Sequence, residues 1–313
     1  MEGLNWTRVS QFHLLGITDL PHLQPVIFVL FLLVYVFTLV GNLSTVAVVI
    51  SDEKLHTPMY FFLGNLSLLD IFYSSVTVPK MLAGLVGEEK VISFVGCFTQ
   101  LYFFHFLGST EALLLSSMSY DRYVAICKPL RYHVLMGKLV CAQLTLICWL
   151  IGFLYSLAET VLISLLPFCK KNTVTYFFCD IKPLLKLLAC ADTFLNEITV
   201  MLVTGSIGMA AFFITVVSYV FIFMNLMKIH SVSGRSKAFS TCSSHITVVI
   251  FFYGTVMCTY LGPTSEGSIE KDKVAALLFT VVTPTLNPLI YTIRNQEVHR
   301  CLRKLFRKEK IWK

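Results

Sequence analysis

Charge is what this chain has little of. Of 313 residues, 14% are Asp, Glu, Lys or Arg, against roughly a quarter in a soluble domain. The hydrophobic share is 56% and the mean hydropathy is +0.75. A chain this apolar is insoluble unless lipid is its solvent. Also missing is a basic start followed by a compact apolar core and a small-residue cleavage site, so the first apolar run is expected to serve as a signal anchor. There is no internal repeat and no pair of broken helices of the kind many transporters carry. No zinc-binding HExxH helix and no nucleophile elbow occur, so no enzyme activity is expected. The ten cysteines lack the tight paired spacing of structural zinc sites. The net charge of +7 does not point to nucleic acid, because the basic residues sit between apolar runs and at the C-terminus, where they set membrane orientation.

What the chain does have is long apolar runs. Val26 to Ile50 contains no charged residue. At about 1.5 Å per residue a helix over that stretch spans the roughly 30 Å hydrocarbon core with some tilt. Similar runs occupy Pro58–Leu85, Cys97–Arg122, Leu139–Leu166, Ile198–Met227, Ala238–Gly262 and Val274–Ile293. Backbone polar groups in lipid must be satisfied internally, so these runs are predicted to be helices. The expected fold is an all-α, seven-transmembrane helix bundle over 26–293. An extracellular N-terminal segment, 1–25, precedes it and a basic cytoplasmic tail, 294–313, follows.

Orientation follows from lysine and arginine. Lys54, then Arg122, Lys128, Arg131 and Lys138, then Lys228, Arg235 and Lys237, and finally the tail from Arg294 to Lys313 lie on one side. That side is cytoplasmic, and an odd number of spans puts the N-terminus outside. Asn5-Trp6-Thr7 is a glycosylation acceptor there. Asn42-Leu43-Ser44 and Asn65-Leu66-Ser67 also match, but inside apolar runs. Cys97, Cys169, Cys179 and Cys190 face the oxidising side and can pair.

Five motifs then resemble one family. They are "LHTPMYFFLGNLSLLD" at 55–70, "MSYDRYVAICKPLRY" at 118–132, "SY" at 218–219, "KAFSTCSSH" at 237–245 and "PTLNPLIYTIRN" at 284–295. In this order and spacing they resemble vertebrate odorant receptors, which are rhodopsin-like G-protein-coupled receptors. The resemblance runs from about Gln11 to the tail. Ser119 departs from it, since alanine is more usual there. The family pairs Cys97 with Cys179. It also implies Cys169 with Cys190, although the interval "CDIKPLLKLLAC" is one residue longer than usual.

Ionisable groups inside a membrane are expensive and mark function. Asp70 and Glu111 lie mid-span. By resemblance they converge with Asn287 on a polar pocket where a sodium ion can sit, and two facing carboxylates need a cation or a proton between them. No other cofactor is expected. Asp121, Arg122 and Tyr123 close the third span. The resemblance makes Arg122 a cytosolic switch that Tyr219 and Tyr291 approach on activation, with His245 nearby. Pro288 after Asn287 removes a helix hydrogen bond and kinks the last span.

For the ligand, Phe104, His105, Gly108 and Ser109 recur at helical spacing. By resemblance they face Val203, Thr204 and Ile207, with Tyr253, Met257, Tyr260, Phe279 and Thr280 closing the chamber. His105 is the expected polar anchor. Phe104 stands where amine receptors have an acid, and no lysine or arginine lies mid-membrane in the upper pocket. A small, neutral, volatile odorant is therefore expected. The resemblance further implies a stimulatory olfactory G protein, cyclic AMP signalling and residence in the plasma membrane of olfactory cilia. The rival readings are a non-odorant chemosensory receptor of the same superfamily and a transporter or channel built on Asp70 and Glu111.

Overall fold

The computed structural model describes residues 9–18, 20–87, 90–166, 168, 172–185, 194–228, 231–260, 269–294, 298–301 and 303. The chain forms helices α1 (Gln24–Ser51), α2 (Pro58–Leu85), α3 (Phe94–Cys127), the short α4 (Tyr132–Leu135), α5 (Lys138–Ser164), the short α6 (Ile181–Leu185), α7 (Phe194–Met227), α8 (Val232–Tyr260), α9 (Ile269–Leu277) and α10 (Thr283–Arg294). A π-helical turn, Leu278–Val282, joins α9 to α10, and the three pieces make the seventh span. The chain is thus a multi-pass membrane protein with seven spanning helices. Six of them contain an apolar stretch long enough to cross a bilayer by composition. The other, α3, is less apolar because it is the axial helix. It packs on α2, α5, α7 and α8, and its polar residues Thr110, Glu111, Ser116, Ser119 and Asp121 are all buried.

Helix starts follow local chemistry. Pro25 and Pro58 stand in the first turns of α1 and α2, where a missing N–H is harmless. Ser93 caps α3, its hydroxyl accepting from the Gly96 N–H at 3.0 Å. Several helices outrun the apolar stretches that announce them. Helix α3 continues past Arg122 to Cys127, α8 begins at Val232 instead of Ala238, and the last span begins at Ile269 instead of Val274. The reason is physical: a helix need not end where the hydrocarbon does, and its outer turns are solvated or packed on neighbours.

Close approach fixes two crossings. A Cβ on Gly152 of α5 would strike the Thr110 hydroxyl and come within 3.1 Å of the Phe106 carbonyl, so α3 and α5 meet there only because residue 152 is glycine. A Cβ on Gly41 would lie 3.2 Å from Pro288 Cγ. At that second crossing Pro288 deprives the Pro284 carbonyl of its helical donor. The Asn42 side-chain amide supplies one at 3.1 Å, and the Thr38 and Thr285 hydroxyls pair at 2.7 Å.

The outer end carries a small sheet. Strand β1 (Gln11–Leu14) runs antiparallel to β2 (Val91–Ser93) and parallel to β3 (Thr173–Val174). Phe12 is buried beneath it against Phe94 and Phe168, with centroids 6.0 and 5.8 Å away. The N-terminal segment is therefore tied to two loops as a cap over the bundle.

Candidate functional site

Successive turns of α3 bring Phe104, His105, Gly108, Ser109 and Ala112 to one face. Ile207, Gly208 and Phe212 of α7, Phe252, Tyr253, Val256, Met257 and Tyr260 of α8, and Phe279 of the π turn stand opposite. Together they enclose a cavity of about 210 Å³. Its inner wall is aromatic. Phe279 lies edge-on to Tyr73 at 5.6 Å and to Phe104 at 5.8 Å, and it packs on Phe252 at 5.7 Å. Phe212 meets Tyr253 at 5.1 Å. Val203 and Thr280 do not line the cavity. The Val203 carbonyl accepts from the Tyr155 hydroxyl, and Thr280 is buried with its hydroxyl donating back to the Ala276 carbonyl at 2.8 Å. The Thr204 side chain lies outside the described residues.

The roof comes from the loop after α5. A Cys97–Cys179 disulfide ties that loop to the start of α3. The Gln100 side-chain oxygen accepts from the Cys179 N–H at 3.0 Å, while its amide donates to the Val76 carbonyl at 2.9 Å. The chain is thereby forced down into the bundle, and the next residues, Asp180 to Leu185, are all buried. Asp180 Oδ1 accepts from its neighbour's N–H at Ile181 (2.8 Å) and from the Tyr260 hydroxyl (2.9 Å), and it faces His105 Nε2 at 3.1 Å. The other ring nitrogen of His105 faces Glu159 Oε2 of α5 at 3.4 Å. Both imidazole nitrogens therefore already point at carboxylates.

Lys182 lines the cavity and donates to the Thr259 carbonyl at 2.8 Å. This corrects the expectation that no basic group reaches the upper pocket. Spans alone cannot show it, because Lys182 arrives from a loop turned inward by a disulfide. Asp180 and Lys182 were missed in the sequence for that reason, whereas Glu159 lies within α5. Glu159 carried the one available signal, an acid inside an apolar run.

Deeper in the bundle, Asp70, Glu111 and Asn287 are all buried. The Asn287 amide donates to both Asp70 oxygens, at 3.2 and 3.0 Å. Glu111 is close enough to act electrostatically on Asp70, and its Oε1 has no donor among the described groups. Two carboxylates with an orphaned acceptor oxygen are a donor set that fits a hard monovalent cation. Among the described residues no three His, Cys, Asp or Glu side chains converge for a metal.

At the cytosolic end Arg122 donates through Nε to Asp121 Oδ2 at 3.0 Å and through a terminal nitrogen to the same oxygen. The Tyr132 hydroxyl of α4 donates to Asp121 Oδ1 at 2.8 Å. Tyr219 of α7 and His245 of α8 pair through the hydroxyl and Nδ1 at 2.5 Å, their rings stacked. Ile222, Leu226 and Cys242 are buried together, flanked by Tyr123, Ile126, Cys127 and Ile246. The Tyr291 hydroxyl is buried without a partner among the described groups. Asn5, Cys169 and Cys190 lie outside the described residues.

A roofed cavity between helices, a buried acidic pair below it and an Asp121–Arg122 pair at the far end of α3 are the arrangement of a seven-helix membrane receptor. The comparisons carry this further. A family model described as "Olfactory receptor" matches residues 31–309. The chain is 54% identical over 296 residues to olfactory receptor 12D1 of Homo sapiens, covering 94% of this chain and 92% of that one. It is 52% identical over 304 residues to olfactory receptor 12D3 of Homo sapiens, covering 96% of each. It is 45% identical over 309 residues to olfactory receptor 1M1 of Mus musculus, covering 99% of this chain and 98% of that one. The chain belongs to the olfactory receptor family.

Proposed function

We propose that this receptor binds a small neutral odorant in the cavity between α3, α7 and α8 and activates a heterotrimeric G protein of the stimulatory olfactory type, raising cyclic AMP. The observation that carries the proposal is that α3 holds both the cavity wall, from Phe104 to Ala112, and the locked Arg122. A ligand shifts the receptor toward its active form if it binds that form more tightly. Activation releases Arg122 from Asp121 and parts the cytosolic ends of α7 and α8 at the Tyr219–His245 pair. Tyr123 belongs to the same lock, and Tyr291 supplies an unengaged hydroxyl beside it.

The ligand residues in this reading are Phe104, His105, Gly108, Ser109, Ile207, Tyr253, Met257, Tyr260 and Phe279. An odorant burying roughly 200–300 Å² of apolar surface gains about 5–7 kcal/mol. Lost translational and side-chain freedom lowers this to a micromolar–millimolar affinity. Asp70, Glu111 and Asn287 would hold a sodium ion, which would supply charge compensation between the two carboxylates. The receptor works without enzymatic chemistry, in the plasma membrane of olfactory cilia, glycosylated at Asn5.

The test is a panel of neutral odorants applied to cells carrying a cyclic AMP reporter. The proposal expects agonists that raise cyclic AMP only when the stimulatory G protein is present. Ligand-gated current in cells lacking that G protein would replace it with a channel.

A further inference from the structure

Lys182 is a buried cation in the wall of a chamber whose other lining residues are mostly apolar or aromatic. It is held there by its backbone, which follows the disulfide-tied Cys179, and by its bond to the Thr259 carbonyl at 2.8 Å. An ammonium carries three N–H donors and no acceptor. Whatever meets it inside the cavity is therefore chosen for an oxygen that accepts. We infer that Lys182 is the ligand's polar contact and that it selects odorants bearing a carbonyl oxygen. This rests on the reading of the cavity as the ligand site.

The surrounding charges narrow the class to neutral compounds. Asp180 and Glu159 are buried beside His105, and all three share this end of the bundle with Lys182. Two carboxylates face at most two cations, Lys182 and the imidazole. Among the described residues that line the cavity, no cation beyond these two would balance the charge of a ligand carboxylate, and unbalanced buried charge is costly. A ligand ammonium would meet Lys182 itself, and Asp180 Oδ1 is already engaged by Ile181, Tyr260 and His105. A ketone, aldehyde or ester adds no charge and joins the acceptors around the ammonium.

The other end of the cavity sets the rest of the molecule. Phe104 to Ala112 on α3 is a helical rise of roughly 12 Å, and the deep wall of Ala112, Phe252 and Phe279 offers only hydrocarbon and ring surface. The ligand that fits has a carbonyl head under the loop and an unbranched or lightly branched apolar tail pointing down the bundle.

The experiment measures binding to the purified receptor in lipid discs for three series: straight-chain methyl ketones, the matching alkanes and the matching carboxylates. The wild type is expected to prefer ketones to both other series. Lys182→Met is expected to lower ketone affinity about tenfold or more and alkane affinity by less than about twofold, since a hydrogen bond from a charged group is lost. Lys182→Arg is expected to keep the ketone preference. If the methionine variant fails to fold, Lys182→Gln, which keeps a neutral donor, must still show weakened ketone binding. The inference is overturned by alkanes and ketones binding the wild type equally, by tighter carboxylate binding, or by a ketone preference that survives undiminished in Lys182→Met or Lys182→Gln. Absence of binding by every series overturns the cavity as ligand site as well, so the two failures are separable.

Discussion

His105 shows how one side chain changes meaning when its neighbours are known. On the sequence it is a polar residue on an apolar helix face, and a ligand anchor is the natural expectation. In the folded chain its ring stands between Asp180 and Glu159, so its main task is to hold the roof loop against α3 and α5. Removing a partner from a buried charged group costs about 1.5–3 kcal/mol for each hydrogen bond lost. His105→Phe is therefore predicted to lower surface level and to weaken responses to carbonyl and hydrocarbon odorants alike. Surface staining with paired concentration–response curves checks this. A normal surface level with loss confined to carbonyl odorants would make His105 a hydrogen-bond partner of the ligand as well as part of the cavity wall. Gly152 and Asn42 are similar cases. Their roles, a helix crossing and a donor for the carbonyl that Pro288 strands, depend on partners far away in the chain, and local pattern carries no trace of them.

Among the elements, six of the seven spans were legible because each is a long apolar run that lipid allows only as a helix, while α3, more polar along its buried face, was marked by the motif at its end. The motifs in α2, α3 and α10 supplied Asp70, Asp121, Arg122 and Asn287, and in the fold Arg122 bonds Asp121 and Asn287 bonds Asp70. The short elements were not legible. Strands of two to four residues pair with segments far away in the chain and have no periodicity to read. The inward turn of α6 follows from a disulfide, and the π turn at Leu278–Val282 has no sequence signal of its own.

The short α4 illustrates what such an element does. It presents Tyr132 to Asp121, the same carboxylate that holds Arg122. Burial, reinforced by the Asp121 charge, pushes the Tyr132 phenol up from its ordinary value. Its neutral, donating form is thus favoured by folding. The stabilisation is complete below the usual phenol range near about pH 10 and is lost only as pH rises through the higher folded value. The lock therefore does not titrate through this group near neutrality. Tyr132→Phe removes a bond to a charged group, which is worth about 1.5–3 kcal/mol. Agonist-free cyclic AMP is predicted to rise several-fold at matched surface level. Unchanged basal signalling would mean that α4 does not contribute to the lock.

At the scale of the whole molecule, α3 joins the two ends: a roofed cavity outside and, inside, Arg122 bonded to its neighbouring aspartate. In the proposed mechanism, odorant binding at the first is read out by Arg122 at the second. The direct measurement is odorant-driven nucleotide exchange on a purified stimulatory G protein, with wild-type receptor or Arg122→Ala in lipid discs and odorant affinity measured on the same samples. Arg122→Ala is predicted to abolish exchange while odorant affinity stays within about threefold, a change under about 1 kcal/mol. Full odorant-driven exchange by Arg122→Ala at equal receptor amount would contradict it.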